Sequence, residues 1–197
     1  MTSFVIFLLP LAVLLFLSIS IYNRLVALKN RYQNGFSQID IQLKRRYDLI
    51  PNLVEIAKGY LKHERETLEA VIGARNQAML GLTAAKSDPS NSGAIQELAR
   101  AEGQLSSAMG RLNVVMEAYP ELKASQSMMQ VSEELMSTEN KVSFARQAFN
   151  DAVTEYNTYK QSFPPVFFAS TFGHTSDAPL LEFEDHKVIQ EAPKVSF

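Results

Sequence analysis

The sequence predicts an all-α protein: an N-terminal transmembrane helix followed by an up-and-down bundle of four long helical segments, the first two either separate or one helix kinked at Pro51. Three observations lead there. Phe4 to Tyr22 is a run of 19 residues without a charge, roughly 28 Å long as a helix and close to the thickness of a bilayer's hydrocarbon core. Behind it, apolar residues recur at steps of three and four as far as Phe163, which is helical spacing. Prolines and one polar loop interrupt this pattern where helices would have to turn.

Composition narrows the function classes. The chain has 197 residues, 46% hydrophobic and 20% charged, which describes a folded domain rather than a disordered one. A formal net charge of −2 lacks the basic field that nucleic-acid binders carry, so no nucleic-acid partner is expected. There is no cysteine. That excludes disulfides, thiolate nucleophiles, Cys-ligated zinc and a lipid-acylated N-terminal Cys.

Residues 1–23 are read as a transmembrane anchor, with Phe4 at its start, Pro10 inside it and Tyr22 at its interfacial end. A membrane helix tolerates an internal proline, and tyrosine suits the headgroup layer. A cleaved signal peptide is the competing reading. It would need a basic stretch before the apolar run and a small-residue cleavage site after it; only Met1, Thr2 and Ser3 precede it, and Asn23, Arg24 and Leu25 follow. Orientation follows from Arg24, Lys29, Arg31, Lys44, Arg45 and Arg46, all behind the span. The positive-inside rule then puts the N-terminus outside and the soluble domain in the cytoplasm, with a periplasmic domain as the alternative.

The first soluble segment, 24–50, carries the stripe Leu25, Leu28, Tyr32, Phe36, Ile39, Leu43, Tyr47 and Ile50. Pro51 follows. The second, 52–80, continues in phase through Val54, Ala57 and Leu61 to Leu68 and Val71, so kink and turn both remain open at Pro51. Gly81 to Gly93 contains Asp-Pro-Ser-Asn-Ser-Gly, which is loop chemistry. The third segment, Ala94 to Tyr119, has Glu102 as the one polar member of its stripe. The small residues Gly103, Ser106, Ser107, Ala108 and Gly110 in its middle would allow close helix approach. The fourth, Ser125 to Phe163, alternates steps of three and four from Met128 through Val142, Phe149 and Tyr156, a heptad period that favours coiled-coil-like packing. Pro164 and Pro165 end it. Phe167, Phe168 and Phe172, near Gly173, suggest a short segment docked on the bundle or the membrane interface. Residues 173–197 read as a flexible acidic tail.

Chemistry-bearing motifs are scarce. His63, His174 and His186 are not at metal-ligand spacing, and His63-Glu64-Arg65-Glu66-Thr67 lacks the second histidine of a zinc-protease helix. No phosphate loop or nucleophile elbow appears. No catalytic residues, metal or cofactor are therefore expected. The polar stretch Asp40, Gln42, Lys44, Arg45, Arg46, Asp48, Pro51 and Asn52 is the candidate partner or junction surface. Its plainer interpretation is a solvated face with local ion pairs, such as Asp40 with Lys44 or Arg45 with Asp48. Lys44 lies roughly 30 Å beyond Tyr22 along a continuous helix, too far to touch headgroups.

Tyr22 to Arg75, Glu117 to Ser125 (EAYPELKAS), Glu139 to Asn157 (ENKVSFARQAFNDAVTEYN) and Phe163 to Pro165 resemble the bacterial LemA family. The resemblance covers residues 24–172, and the tail departs from it. It implies a membrane-anchored bundle of four helices in the bacterial cytoplasmic (inner) membrane, N-terminus outside, and supplies no catalytic residues. The resulting expectation is a scaffold or interaction protein, self-associating, with the bilayer as one partner. The alternative is an adaptor for an unidentified membrane complex such as a protease or transporter.

Overall fold

The first helix does not stop where the apolar run stops. The computed structural model describes residues 2–183, with side chains from Leu9 onward, and its helix α1 runs unbroken from Thr2 to Lys58 over 57 residues. The reason is visible in the burial pattern. From Leu9 to Ile19 the large apolar side chains point outward on every side, Phe16 being 74% exposed and Leu9 67%. From Ile21 the same helix turns one stripe inward. Leu25, Leu28, Tyr32, Phe36, Ile39, Leu43, Tyr47, Ile50, Val54 and Ala57 are all buried, each large one contributing about 1.5–3 kcal/mol of burial. The habitat of the helix thus changes near Ile21 and Tyr22 while its backbone does not. Phe4 lies outside the described side chains.

Pro51 is therefore neither a turn nor the end of a helix. It sits half-buried inside α1. The chain instead reverses eight residues later, through the turns of 59–64, and α2 runs from Arg65 to Ser87. The expected second segment, 52–80, is thus divided between two helices. Its apolar pattern survived the division because Leu53, Val54 and Ala57 at the end of α1, and Leu68 and Val71 at the start of α2, face one core.

The expected loop of 81–93 is also shorter than its composition suggests. Helix α2 continues to Ser87, leaving Asp88–Asn91 as the connection. Asp88 accepts the Ser90 amide through its side chain at 2.9 Å. Asn91 caps α3 (Ser92–Glu117) by accepting the Ala94 amide at 3.1 Å. Gly81, inside the extended α2, lies close to α3: a Cβ there would sit 3.1 Å from Leu98 Cα, so a larger residue would press the two helices apart by a few tenths of an ångström. The close approach expected from Gly110 is not made, since nothing lies within 4 Å of a Cβ at that position.

Pro120 begins the one-turn helix α4 (Pro120–Lys123), which anchors the hairpin through fully buried Leu122. Helix α5 (Gln126–Gln161) then returns along α1, antiparallel to it. Gly35 packs on Phe149, whose ring meets Phe36 and Tyr32 edge-on at 5.6 and 6.3 Å. Further along, Arg46 pairs with Glu139 at 3.1 Å. The short α6 (Val166–Ala169) closes the end nearest the apolar run. Among the described residues there is no strand.

Residues 173–183 correct the expectation of a flexible tail from 173. Gly173 takes φ +82, a left-handed conformation that favours glycine, and the chain then lies extended along α5. Asn157 donates to the Ala178 carbonyl and accepts its amide, both at 2.9 Å. Asn150 does the same for Leu181 at 3.1 and 2.9 Å. Three extended residues at about 3.3 Å each match seven helical residues at about 1.5 Å each, so both asparagines meet the strap in register. Leu181 is fully buried, and Arg146 lies 4.5 Å over the Phe183 ring. Residues 184–197 lie outside the described residues.

Candidate functional site

The stretch Asp40–Asn52 occupies the middle of α1, and the helix divides it into two faces. One face is a junction. Asp40 reaches across to Lys86 of α2 at 2.6 Å and is mostly shielded from solvent. Arg46 is buried and bridges two helices, contacting Glu102 of α3 at 3.0 Å and Glu139 of α5 at 3.1 Å. The Tyr47 hydroxyl donates to the other oxygen of Glu102. Burial is the first reason that the Tyr47 hydroxyl holds its proton far above the ordinary tyrosine range, and the neighbouring Glu102 charge adds to it. The Gln42 side-chain oxygen is buried here without a hydrogen-bond partner. The sequence had flagged Glu102 only as the odd polar member of an apolar stripe. In the structure it is 2% exposed and ties α1 to α3.

Pro51 explains one further member of the junction. In a regular helix the amide of residue 51 would donate to the carbonyl of residue 47, and proline has no such amide. The Tyr47 carbonyl is taken instead by Arg75 of α2, whose Nε donates to it at 3.0 Å. Arg75 also approaches Asp48 at 3.9 Å. Neither proline nor arginine shows this role in isolation. The signal was available in combination: a proline inside an unbroken apolar stripe must leave a carbonyl for something else to satisfy.

The other face is open. Lys44, Arg45, Asp48 and Asn52 are exposed, beside Ile41 at 54%. The expected local pairs do not form. Asp40 is drawn to Lys86 rather than Lys44, and Asp48 faces Arg75 rather than Arg45. Among the described residues Lys44 and Arg45 make no ion pair, and both are exposed. His63 is exposed in the α1–α2 turn. Near it, a cleft of about 700 Å³ opens between the helix ends, lined by Val54, Lys58, Leu61, Arg65, Leu68 and Ile72 among others.

The end of the bundle nearest the apolar run holds a second polar cluster that sequence reasoning missed. His174 Nδ1 meets the Tyr156 hydroxyl at 2.8 Å. Burial lowers the His174 pKa from its usual value, and the charges of Lys29 and Lys160 lower it further. Burial also pushes the Tyr156 pKa up to about 12. Asp177 binds Lys160 at 2.5 Å and Gln161 at 2.8 Å, and the Lys160 hydrogen bond leads in holding its carboxyl below the usual range. Two asparagines seven residues apart in a helix were the available clue to this strap, since asparagine is a poor mid-helix residue without a specific partner.

The geometry defines a class of protein: an all-α bundle built on one helix whose leading part is long and apolar enough to cross a membrane. The sequence model of the LemA family matches residues 35–197, and the chain belongs to that family. The match includes the tail, which the sequence reading had set apart. Protein LemA of Metamycoplasma hominis is 27% identical over 152 residues, covering 77% of this chain and 65% of that protein. Magnetosome protein MamQ of Magnetospirillum gryphiswaldense is 24% identical over 167 residues, 77% of this chain and 61% of the relative. Magnetosome protein MamQ 2 of Paramagnetospirillum magneticum is 23% identical over 171 residues, with the same two coverages of 77% and 61%. The chain spans just under two thirds of the length of these relatives.

Proposed function

We propose that this chain is a membrane-tethered, self-associating scaffold with no catalytic activity of its own. Its N-terminus lies outside and its bundle in the cytoplasm of a bacterial cell, at the inner membrane. The observation that carries this reading is the continuity of α1 from Thr2 to Lys58. A flexible linker would let a tethered domain tumble. A helix shared by the span and the core holds the bundle at one orientation, so the same face of every copy is presented laterally. Confinement to a membrane raises effective concentration, and weak contacts between aligned faces then count for more. The open face of α1, with Lys44, Arg45, Asp48 and Asn52, is the surface this arrangement presents. Two of the relatives are named as magnetosome proteins; for this chain, membership of a larger assembly is in keeping with that.

Sizing of the detergent-solubilised full chain over a range of concentrations tests self-association. Oligomers are expected, and a monomer at every concentration would end that part of the reading. Because the chain has no cysteine, single cysteines placed at Thr2 and at Ser90 report orientation through membrane-impermeant labels. Labelling at position 90 from outside intact cells would place the bundle in the periplasm instead. The second reading, an adaptor for another membrane complex, is favoured by the unpaired Lys44 and Arg45. Photocrosslinking from position 45 in native membranes should then trap a different chain, and self-crosslinks alone would count against it.

A further inference from the structure

The register of α5 on α1 places the end of the bundle against the end of the apolar span. Phe149 packs on Gly35. Continuing in opposite directions along the two helices, Gln161, the last residue of α5, falls level with Asn23. The residues just beyond it are apolar and uncovered: Phe163 is 80% exposed, Phe167 70% and Val166 47%. The sequence pattern had placed Phe163 at the end of the core stripe, but it points out. The rings of Phe163 and Phe167 meet edge-on at 5.9 Å, forming one apolar knuckle. The knuckle is not a loose loop. Phe168 stacks on Phe172 at 6.0 Å, and Phe172 meets Tyr22 of α1 edge-on at 5.4 Å. Ala169 is buried behind them, and the His174 amide donates to its carbonyl at 2.9 Å.

Two large exposed aromatics held rigidly together need a cover. Their height names it. They lie beside Ile21 and Tyr22, where α1 stops being apolar on all sides and starts being a core helix. Arg24 and Arg31, both paired with Glu155 yet each more than half exposed, and Lys29 follow within about 15 Å along the helix, a distance that lipid phosphates can meet. An apolar tip with basic residues set back from it is the pattern of an interfacial membrane contact.

We propose that Phe163, Val166 and Phe167 form a second membrane contact, inserting into the interfacial layer of the bilayer leaflet from which α1 emerges. The bundle is then held to lipid at two points, the span and the knuckle. This inference rests on the reading of the span as a membrane anchor, and its test separates the two.

The chain contains no tryptophan, so one can be introduced at a time into the full chain in nanodiscs of mixed zwitterionic and anionic lipid. The Phe167→Trp variant probes the knuckle. The Phe16→Trp variant probes the span, and Phe144→Trp probes an exposed site of α5 far from the membrane. With lipids brominated near the headgroup, Phe167→Trp should emit to the blue of Phe144→Trp and be quenched at least about twofold more strongly. If Phe16→Trp is quenched while Phe167→Trp behaves like Phe144→Trp, the knuckle proposal fails and the anchor stands. If none of the three is quenched, both fail. Emission from Phe167→Trp that is blue-shifted but untouched by brominated lipid would mean that protein, a second copy of the chain, covers the knuckle, and would overturn the proposal.

Discussion

Replacing Arg75 by methionine keeps the apolar stem of the side chain but removes the donor that stands in for the amide Pro51 lacks. The cost can be worked from the geometry. The Tyr47 carbonyl belongs to a residue 1% exposed and accepts Arg75 Nε at 3.0 Å. A buried carbonyl left unsatisfied costs about 1–3 kcal/mol. The second contact of Arg75, Asp48 at 3.9 Å, has a partner 66% exposed, and such a pair is worth under about 1 kcal/mol. Arg75→Met should therefore destabilise by about 2 kcal/mol, mostly through the carbonyl. In a Pro51→Ala background the restored amide can satisfy Tyr47 within the helix. There the same substitution should cost under about 1 kcal/mol, since only the exposed contacts with Asp48 and Asn76 are lost. The predicted coupling is about 1–2 kcal/mol, measured as a double-mutant cycle from urea unfolding of the solubilised full chain followed by helical circular dichroism. Equal costs of Arg75→Met in both backgrounds, within about 0.5 kcal/mol, would show that the arginine is not replacing the missing amide.

Breaking the buried ionic junction on one side should be worse than removing it. Glu102→Leu strands Arg46 with only the half-exposed Glu139, leaves the Tyr47 hydroxyl without its acceptor and should cost about 3 kcal/mol, whereas adding Arg46→Met and Tyr47→Phe should recover much of that loss in thermal unfolding. Asn157→Ala removes two hydrogen bonds to the strap, so amide exchange over residues 174–183 should rise with little change in α1. His174 has a folded pKa below its unfolded value of about 6.5, its proton being disfavoured by burial and by Lys29 and Lys160. The unfolded chain binds that proton first as pH falls, so this stability is complete above about pH 6.5 and is lost as pH drops toward the folded pKa. The melting temperature should decline over that interval, and His174→Gln should flatten the decline. The Asp177 contribution is separate: its lowered pKa makes it present above about pH 3.8 and lost only in stronger acid.

The helical architecture was legible because its signals are local and repeated. A stripe at steps of three and four from Leu25 to Ile50 can be read without knowing what it packs against, and every member is buried. What could not be read was where helices end when the cause is tertiary. Pro51 looks like a boundary from local propensity alone. Its cost is offset by Arg75, 24 residues along the chain and on another helix. Conversely, residues 59–64 turn the chain without a proline. The Asp40–Asn52 stretch stands out in the sequence as a polar run, but its division into a junction face and an open face depends on which partners α2, α3 and α5 bring. Lys86, Glu102 and Glu139 are each too distant in sequence for any local pattern to assign them. Residues 173–183 misled for a related reason. Polar and acidic residues suggested solvation, while the groups that hold this segment, Asn150 and Asn157, sit on a helix read for its apolar residues.

If the apolar part of α1 spans a bilayer as proposed, the unbroken course of the helix would act as a mechanical lever. From Tyr22 to Lys58 the helix projects about 54 Å beyond the span. A change of about 10° in the tilt of the span, the kind of adjustment that accompanies small differences in bilayer thickness, would carry the far turn sideways by about 9 Å. Local lipid thickness would in this way be converted into position at the opposite end of the bundle.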